Sequence, residues 1–296
     1  MDDTSDTIRL QDGRVLAFAT YGDPAGTPLL LFHGIPSCRL MHPGEADCAE
    51  LGVRLVVPDR PGFGRSDPQP GRTLLDWAND VRELTAALGI DRFAIAGASG
   101  GAPFVAATAW RLGPRITRAA IIAGSGPVDA PGAMAGMALE RRLGYWLARR
   151  LPRLFRKVLE LRGDPHGDPE GFFANYTRHN PPSDQAILAL PKVREMFLRT
   201  YAEATRQGPD AFAWEVTLAS RPWGFALEEI AAPLTLWHGD ADNSTPLGMA
   251  RAVAARIPDA RLQVLPGEGH LIHFAHWRWI LEDVLSESLA SAPCEA

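Results

Sequence analysis

Residues 97–101 read Gly-Ala-Ser-Gly-Gly, which places Ser99 between small residues in a G-x-S-x-G pattern. A bare match of this kind is weak, and its context carries the weight. The apolar run Phe93–Ala96 leads in, and Ala102-Pro103-Phe104-Val105-Ala106-Ala107 leads out with helical character. Ser99 then falls on a tight strand-to-helix turn. Gly97 and Gly101, two positions to either side, let strand and helix approach closely. Pro103 is tolerated only in the first turn of that helix. The helix N-terminus adds unpaired N–H groups and partial positive charge beside the hydroxyl. A serine hydroxyl is a poor nucleophile alone, so attack on a carbonyl requires a neutral histidine as base and an acid to orient it.

The elements that would carry such a site can be read from hydrophobic runs. Asp12-Gly13 between apolar segments of residues 8–20 signals a hairpin. Pro28–Phe32, Val53–Val57, Phe93–Ala96, Ala119–Ala123, Leu234–Trp237 and Leu262–Leu265 are short apolar runs that suit strands buried on both faces of a parallel sheet. Thr73–Leu88 carries Leu74, Trp77, Val81, Leu84, Ala87 and Leu88 at helical spacing, and Gly89 stops it. Strand–helix alternation predicts a doubly wound, mostly parallel α/β sheet. The alternation lapses from about Pro127 to Trp223, a helix-like stretch broken by Pro152, Pro181-Pro182 and Pro191. The domain reading is therefore a core of 1–126 and 228–296 with a helical insertion at 127–227. That insertion should lie over the C-terminal edge of the sheet, where ligands bind.

The chain has 296 residues, 46% of them hydrophobic and 22% charged, values typical of globular proteins. A net charge of −5 argues against a nucleic-acid partner. The longest apolar runs are too short for a membrane span. The acidic start Met1-Asp2-Asp3 lacks the basic and apolar regions of a signal peptide, so a cytoplasmic location is expected. Cys38, Cys48 and Cys294 read as reduced thiols rather than a disulfide framework. No histidine pattern implies a metal, and no cofactor is expected.

Taken together, these features resemble the α/β-hydrolase superfamily across the proposed core. His33-Gly34-Ile35-Pro36 looks like the family's oxyanion loop, Asp59–Asp67 like the loop after its next strand, and the insertion like its cap domain. The resemblance implies an α/β-hydrolase fold and a chain order of serine, acid, then histidine. The acid falls in His238–Pro246, where the family pattern selects Asp242 over its rival Asp240. The base falls in Gly267-Glu268-Gly269-His270, so His270 is implied. His33 and His238 read as structural loop residues, and His273 and His276 fall in the next helix. His42, His166 and His179 lack a matching context. The backbone N–H groups of Ile35 and Gly100 are implied as oxyanion donors. Asp59 and Arg60 are implied as structural support.

Specificity residues are less marked. Ser37 and Cys38 follow the oxyanion loop and could touch substrate, the alternative being simple loop packing. Trp214, Trp223 and Phe225 read as core aromatics, the alternative being the lining of an apolar acyl pocket. Arg141, Arg142, Arg149, Arg150, Arg153, Arg156 and Lys157 alternate with Leu139, Leu143, Trp146, Leu147 and Leu154. This reads as an amphipathic helix with a solvated basic face, the alternative being a basic lid for anionic or lipidic substrates. The expected function is hydrolysis of a carboxylic ester of a small or medium apolar molecule. A C–C bond hydrolase, or an aminopeptidase resembling proline iminopeptidase, would use the same residues. A receptor-like protein with little turnover is the alternative of another class.

Overall fold

The computed structural model describes residues 5–161 and 167–286. His166 and Cys294 lie outside the described residues. Eight strands form one sheet in the order β1-β2-β4-β3-β5-β6-β7-β8. The strands are β1 Ser5–Arg9, β2 Val15–Gly22, β3 Thr27–Phe32, β4 Val53–Pro58, β5 Phe93–Ala98, β6 Ile116–Ile122, β7 Leu234–Gly239 and β8 Ala260–Leu265. The pairs β1–β2 and β2–β4 are antiparallel, and all others are parallel.

Inner strands behave as their composition predicts. All six residues of β5 are buried. One departure is β8, expected to be buried on both faces but alternating between partly buried and exposed. It is the last strand of the sheet, so one flank lacks a neighbour and its outer face meets solvent.

Helices α1 Glu45–Glu50, α2 Leu74–Ala87 and α3 Ala102–Leu112 precede the insertion. The start of α2 is fixed by a capping box between Thr73 and Asp76. The faces of α2 and α3 bury Trp77, Leu84, Phe104 and Val105 against one side of the sheet. Between β6 and β7 run α4 Leu139–Arg150, α5 Pro152–Glu160, α6 Pro169–Thr177, α7 Pro182–Leu188, α8 Pro191–Thr205 and α9 Asp210–Ala219. Four of these six begin on proline, which fits the first helical position because its missing N–H has no partner to lose there. The single amphipathic helix read across 139–157 is in fact two, split at Leu151-Pro152. Helices α10 Leu247–Ala254, α11 Ile272–Ala275 and α12 Trp277–Leu285 complete the chain, with α12 packing on the other side of the sheet.

Candidate active site

Ser99 sits directly after β5 at φ 53°, a left-handed conformation that non-glycine residues seldom adopt. The close approach that holds it there depends on its glycines. A Cβ on Gly97 would lie 2.6 Å from Val105 Cγ2, and one on Gly101 would lie 2.3 Å from the Phe32 carbonyl oxygen. The loop after β3 packs against the same turn, because a Cβ on Gly100 would meet the Ile35 side chain at 2.4 Å. Ile35 and Gly100 thus stand together beside Ser99 in the wall of one cavity.

The loops after β7 and β8 bring Asp242 to His270. Asp242 Oδ2 accepts a 2.8 Å hydrogen bond from His270 Nδ1 and another from Thr245 Oγ1 at 2.8 Å. Its Oδ1 accepts from the backbone N–H groups of Ser244 at 2.7 Å and Thr245 at 3.0 Å. Burial opposes charge on Asp242, yet the adjoining His270 and these donors hold its carboxyl below the usual range. Burial likewise opposes charge on His270, but Asp242 prevails and lifts its pKa above the ordinary imidazole value. Asp240 is exposed and its Oδ1 instead accepts from the Gly267 N–H at 2.7 Å, tying the turn after β8. Ser99 and His270 line a common cavity. The hydrogen bond between Ser99 Oγ and His270 Nε2 is not closed here, and unliganded sites commonly tighten this contact only around substrate.

The other histidines have separate roles. His33 Nδ1 donates to the Gly34 carbonyl at 2.8 Å while its Nε2 accepts from the Arg60 N–H, and burial holds it neutral. His238 Nε2 bonds the Thr245 carbonyl at 2.6 Å. Burial pushes His273 down to about 3. Arg60 fastens the loop after β3 from below, donating to the carbonyls of His33 at 2.6 Å and Gly34 at 3.1 Å. Its guanidinium is itself held at two 2.7 Å contacts by Glu215 of α9, fully buried, which also meets Arg72.

The sequence gives no hint of Asp184. This buried residue of α7 accepts hydrogen bonds from the backbone N–H groups of His270 at 3.0 Å and Leu271 at 2.8 Å. A helix of the insertion thereby grips the loop that carries His270. Burial raises the Asp184 carboxyl, while the two N–H donors pull it back.

The larger cavity, about 350 Å³, lies between the sheet's loops and the insertion. A smaller one of about 70 Å³ adjoins it and holds His270 and Ser37. Trp214, Trp223 and Phe225 follow the core reading and not the pocket alternative. Trp214 donates its indole N–H to the Arg72 carbonyl at 2.9 Å, and Trp223 and Phe225 pack with Trp110 against the core. None of the three lines either cavity, because the end of the insertion must be braced where it rejoins the sheet. Tyr145, Phe155, Phe172, Tyr176, Tyr201 and Phe212 line the larger cavity instead. The pair Phe172 and Tyr176, at i and i+4 on α6, was the available sequence signal. Cys38 is buried beneath the loop, with Sγ 3.6 Å from the Thr200 carbonyl, and burial raises its thiol pKa, so it touches no cavity and offers no thiolate.

A serine on a tight turn after an inner strand, with a histidine and an aspartate paired on the loops of later parallel strands, is an arrangement of α/β hydrolases. The chain belongs to the alpha/beta hydrolase fold family, whose sequence model matches residues 27–276. It is 27% identical over 234 residues to a 2-hydroxy-6-oxo-6-phenylhexa-2,4-dienoate hydrolase of Burkholderia cepacia, covering 76% of this chain and 73% of that protein. It is 32% identical over 108 residues to a proline iminopeptidase of Xanthomonas citri, covering 35% of this chain. The chain spans only about a quarter to a third of the first curated relatives it matches. Among solved structures, a thermophilic esterase from Thermogutta terrifontis superposes with TM-score 0.64 at 25% identity, covering 95% of this chain and 99% of that one.

Proposed function

We propose that the chain is a serine hydrolase that cleaves carboxylic esters of small or medium substrates, with residues 127–227 serving as a cap over the site. The observation that carries this reading is the buried Asp242–His270 pair opening on the same cavity as Ser99. Neutral His270 takes the Ser99 proton as Oγ attacks the ester carbonyl, and Asp242 stabilises the imidazolium. The N–H groups of Ile35 and Gly100 receive the developing oxyanion. Collapse expels the alcohol and leaves an acyl group on Ser99, which water removes with His270 again as base. The aromatic walls suit an apolar acyl or alcohol group, and Ser37 borders the smaller recess. No cofactor enters this scheme.

The test is hydrolysis of p-nitrophenyl esters from acetate to decanoate, together with labelling by a fluorophosphonate mapped by peptide mass. A single adduct on Ser99 with ester turnover supports the reading. An adduct elsewhere, or no turnover on any ester, removes it. A C–C bond hydrolase is the second reading. The Burkholderia relative supports it, and so does Arg141, which lines the cavity without an acidic partner among the described residues. Faster turnover of a carboxylate-bearing vinylogous diketone than of any ester would favour that reading.

The pKa directions fix the acidic limb of activity. His270 must be neutral to act as base, and Asp242 raises its pKa, so the rate should climb with pH through a midpoint above the ordinary imidazole value. A pH–kcat/KM profile measured with chemistry limiting checks this, and a midpoint at or below the ordinary value contradicts it.

Asp184 acts in this scheme as a positioning residue. Asp184→Ala strips the acceptor from two N–H groups and frees the His270 loop, with an expected kcat loss of about 10²-fold for a displaced catalytic group. Its carboxylate also raises the His270 pKa, so the acidic limb should move to lower pH in the variant. A fall in melting temperature with kcat and the limb unchanged would make the residue structural only.

A further inference from the structure

The outward faces of α4 and α5 contradict the expectation of an apolar face turned into the protein. On α4, Leu139, Leu143, Trp146 and Arg150 recur at i, i+4, i+7 and i+11 and so share one stripe. Leu139 is 80% exposed, Leu143 52% and Trp146 53%. Arg142, Arg149 and Arg150 flank them, all exposed. The opposite face of the same helix carries Arg141 and Tyr145 into the cavity and buries Ala148 against α5 and α9. Leu154, 47% exposed, and the exposed Arg153 and Lys157 continue the outer surface onto α5.

The charges on this surface are unbalanced. Arg156 is paired with Glu160 and Asp210. Arg142, Arg149, Arg150, Arg153 and Lys157 have no acidic partner among the described residues. They lie within sixteen residues of a chain whose net charge is −5, so the positive field is local. Leucine and tryptophan standing out from a helix and rimmed by arginine are what an interfacial helix presents to lipid. The apolar groups enter the headgroup–acyl boundary, indole favours that depth, and the cations meet anionic headgroups.

We propose that this face of α4 and α5 docks the protein on an anionic lipid bilayer surface, with the cavity wall on the reverse of the same two helices. A second copy of the chain fits poorly, because a two-fold contact would set five unpaired cations against the same five. An acidic protein fits less well than a bilayer, because the apolar groups stand on convex helices rather than in a groove. This inference is independent of the Ser99 chemistry. Among the described residues no helix is long and apolar enough to cross a membrane, so the attachment is peripheral.

The test is flotation of the full chain with vesicles of phosphatidylcholine alone and with one third phosphatidylglycerol. Binding is expected on the anionic vesicles only, weakening as salt rises from about 0.1 M to about 1 M. Reversing Arg142, Arg149 and Arg150 together to Glu should weaken it at least about 100-fold, since each basic residue near an anionic surface contributes roughly fivefold. Leu143→Ser with Trp146→Ser should weaken it at least about 10-fold through lost apolar insertion. The apolar pair tests the proposal separately should the charge variant not fold, and melting curves verify each. Absence of binding, equal binding to both vesicle types, or binding unchanged in both variants overturns the proposal. So does wild-type dimerisation abolished by either variant, or capture of polyglutamate without capture of vesicles.

Discussion

Ser99→Ala is expected to lower kcat on a p-nitrophenyl ester by roughly 10⁶-fold, the scale seen when a nucleophile is removed from a serine–histidine–acid unit. The variant keeps the cavity, Ile35, Gly100 and the Asp242–His270 pair, so binding should survive while acylation stops. Stability gives a second, independent readout. Ser99 is held at φ 53°, a conformation that costs a non-glycine residue about 1–3 kcal/mol. Ser99→Gly should therefore be as inactive as the alanine variant yet melt no lower than wild type, since glycine adopts positive φ freely. Single-turnover kinetics on extensively purified protein and calorimetry measure the two effects. An alanine variant with kcat within tenfold of wild type would remove Ser99 from the mechanism.

The parts of this molecule legible in its sequence are those dictated by local pattern. The run Phe93–Ala96 is short and apolar on both faces, as suits a strand between two parallel neighbours, and all six residues of β5 are buried. The Ser99 turn was legible because glycine is the residue that lets β5, α3 and the Phe32 carbonyl come so close. The choice of Asp242 over Asp240 came from a family pattern, and the contacts that set the two residues apart are not local. Asp242 folds back onto the N–H groups of Ser244 and Thr245 and meets His270, whereas Asp240 accepts from the Gly267 N–H.

What could not be read is long-range. Nothing about Asp184 in sequence says that it lies under His270, 86 residues away, because the link is made by two backbone N–H groups that any residue supplies. Glu215 and Arg60 are likewise joined only by the packing of α9 beneath the loop after β3. The aromatic residues near the end of the insertion could be read either as core or as pocket walls for a related reason. Burial at the junction with the sheet and burial in a cavity demand the same residue types, so Trp223 and Phe172 are interchangeable until packed. Periodicity along α4 set apolar against basic residues, whereas Leu139, Leu143 and Trp146 share the outer face with Arg142, Arg149 and Arg150. Ala148, small enough for close helix packing, marks the inner face with Leu147, and Leu139, Leu143 and Trp146 are left outside.

Asp242→Asn should lower kcat by about 10⁴-fold with little change in stability, and the hydrogen bonds around it say why. The N–H groups of Ser244 and Thr245 both point at Oδ1, so an asparagine must place its oxygen there and its NH₂ where Oδ2 now lies. Thr245 can accommodate the exchange, because its hydroxyl lies 2.8 Å from the Ala123 carbonyl and can donate there while accepting from the new amide. His270 cannot accommodate it without losing its function. Its Nδ1 would face a donor and have to accept, which drives the proton to Nε2, the atom that must be bare to take the Ser99 proton. Asp240→Asn keeps an oxygen for the Gly267 N–H and touches no part of this relay, so its kcat should stay within about threefold of wild type, as surface substitutions generally do. The two variants are isosteric, two positions apart in sequence and opposite in expectation, so their kcat values compared at matched melting temperature decide the assignment. A larger loss at Asp240 would transfer the role of the acid to it and require the His270 loop to move away from the contact it makes at 2.8 Å.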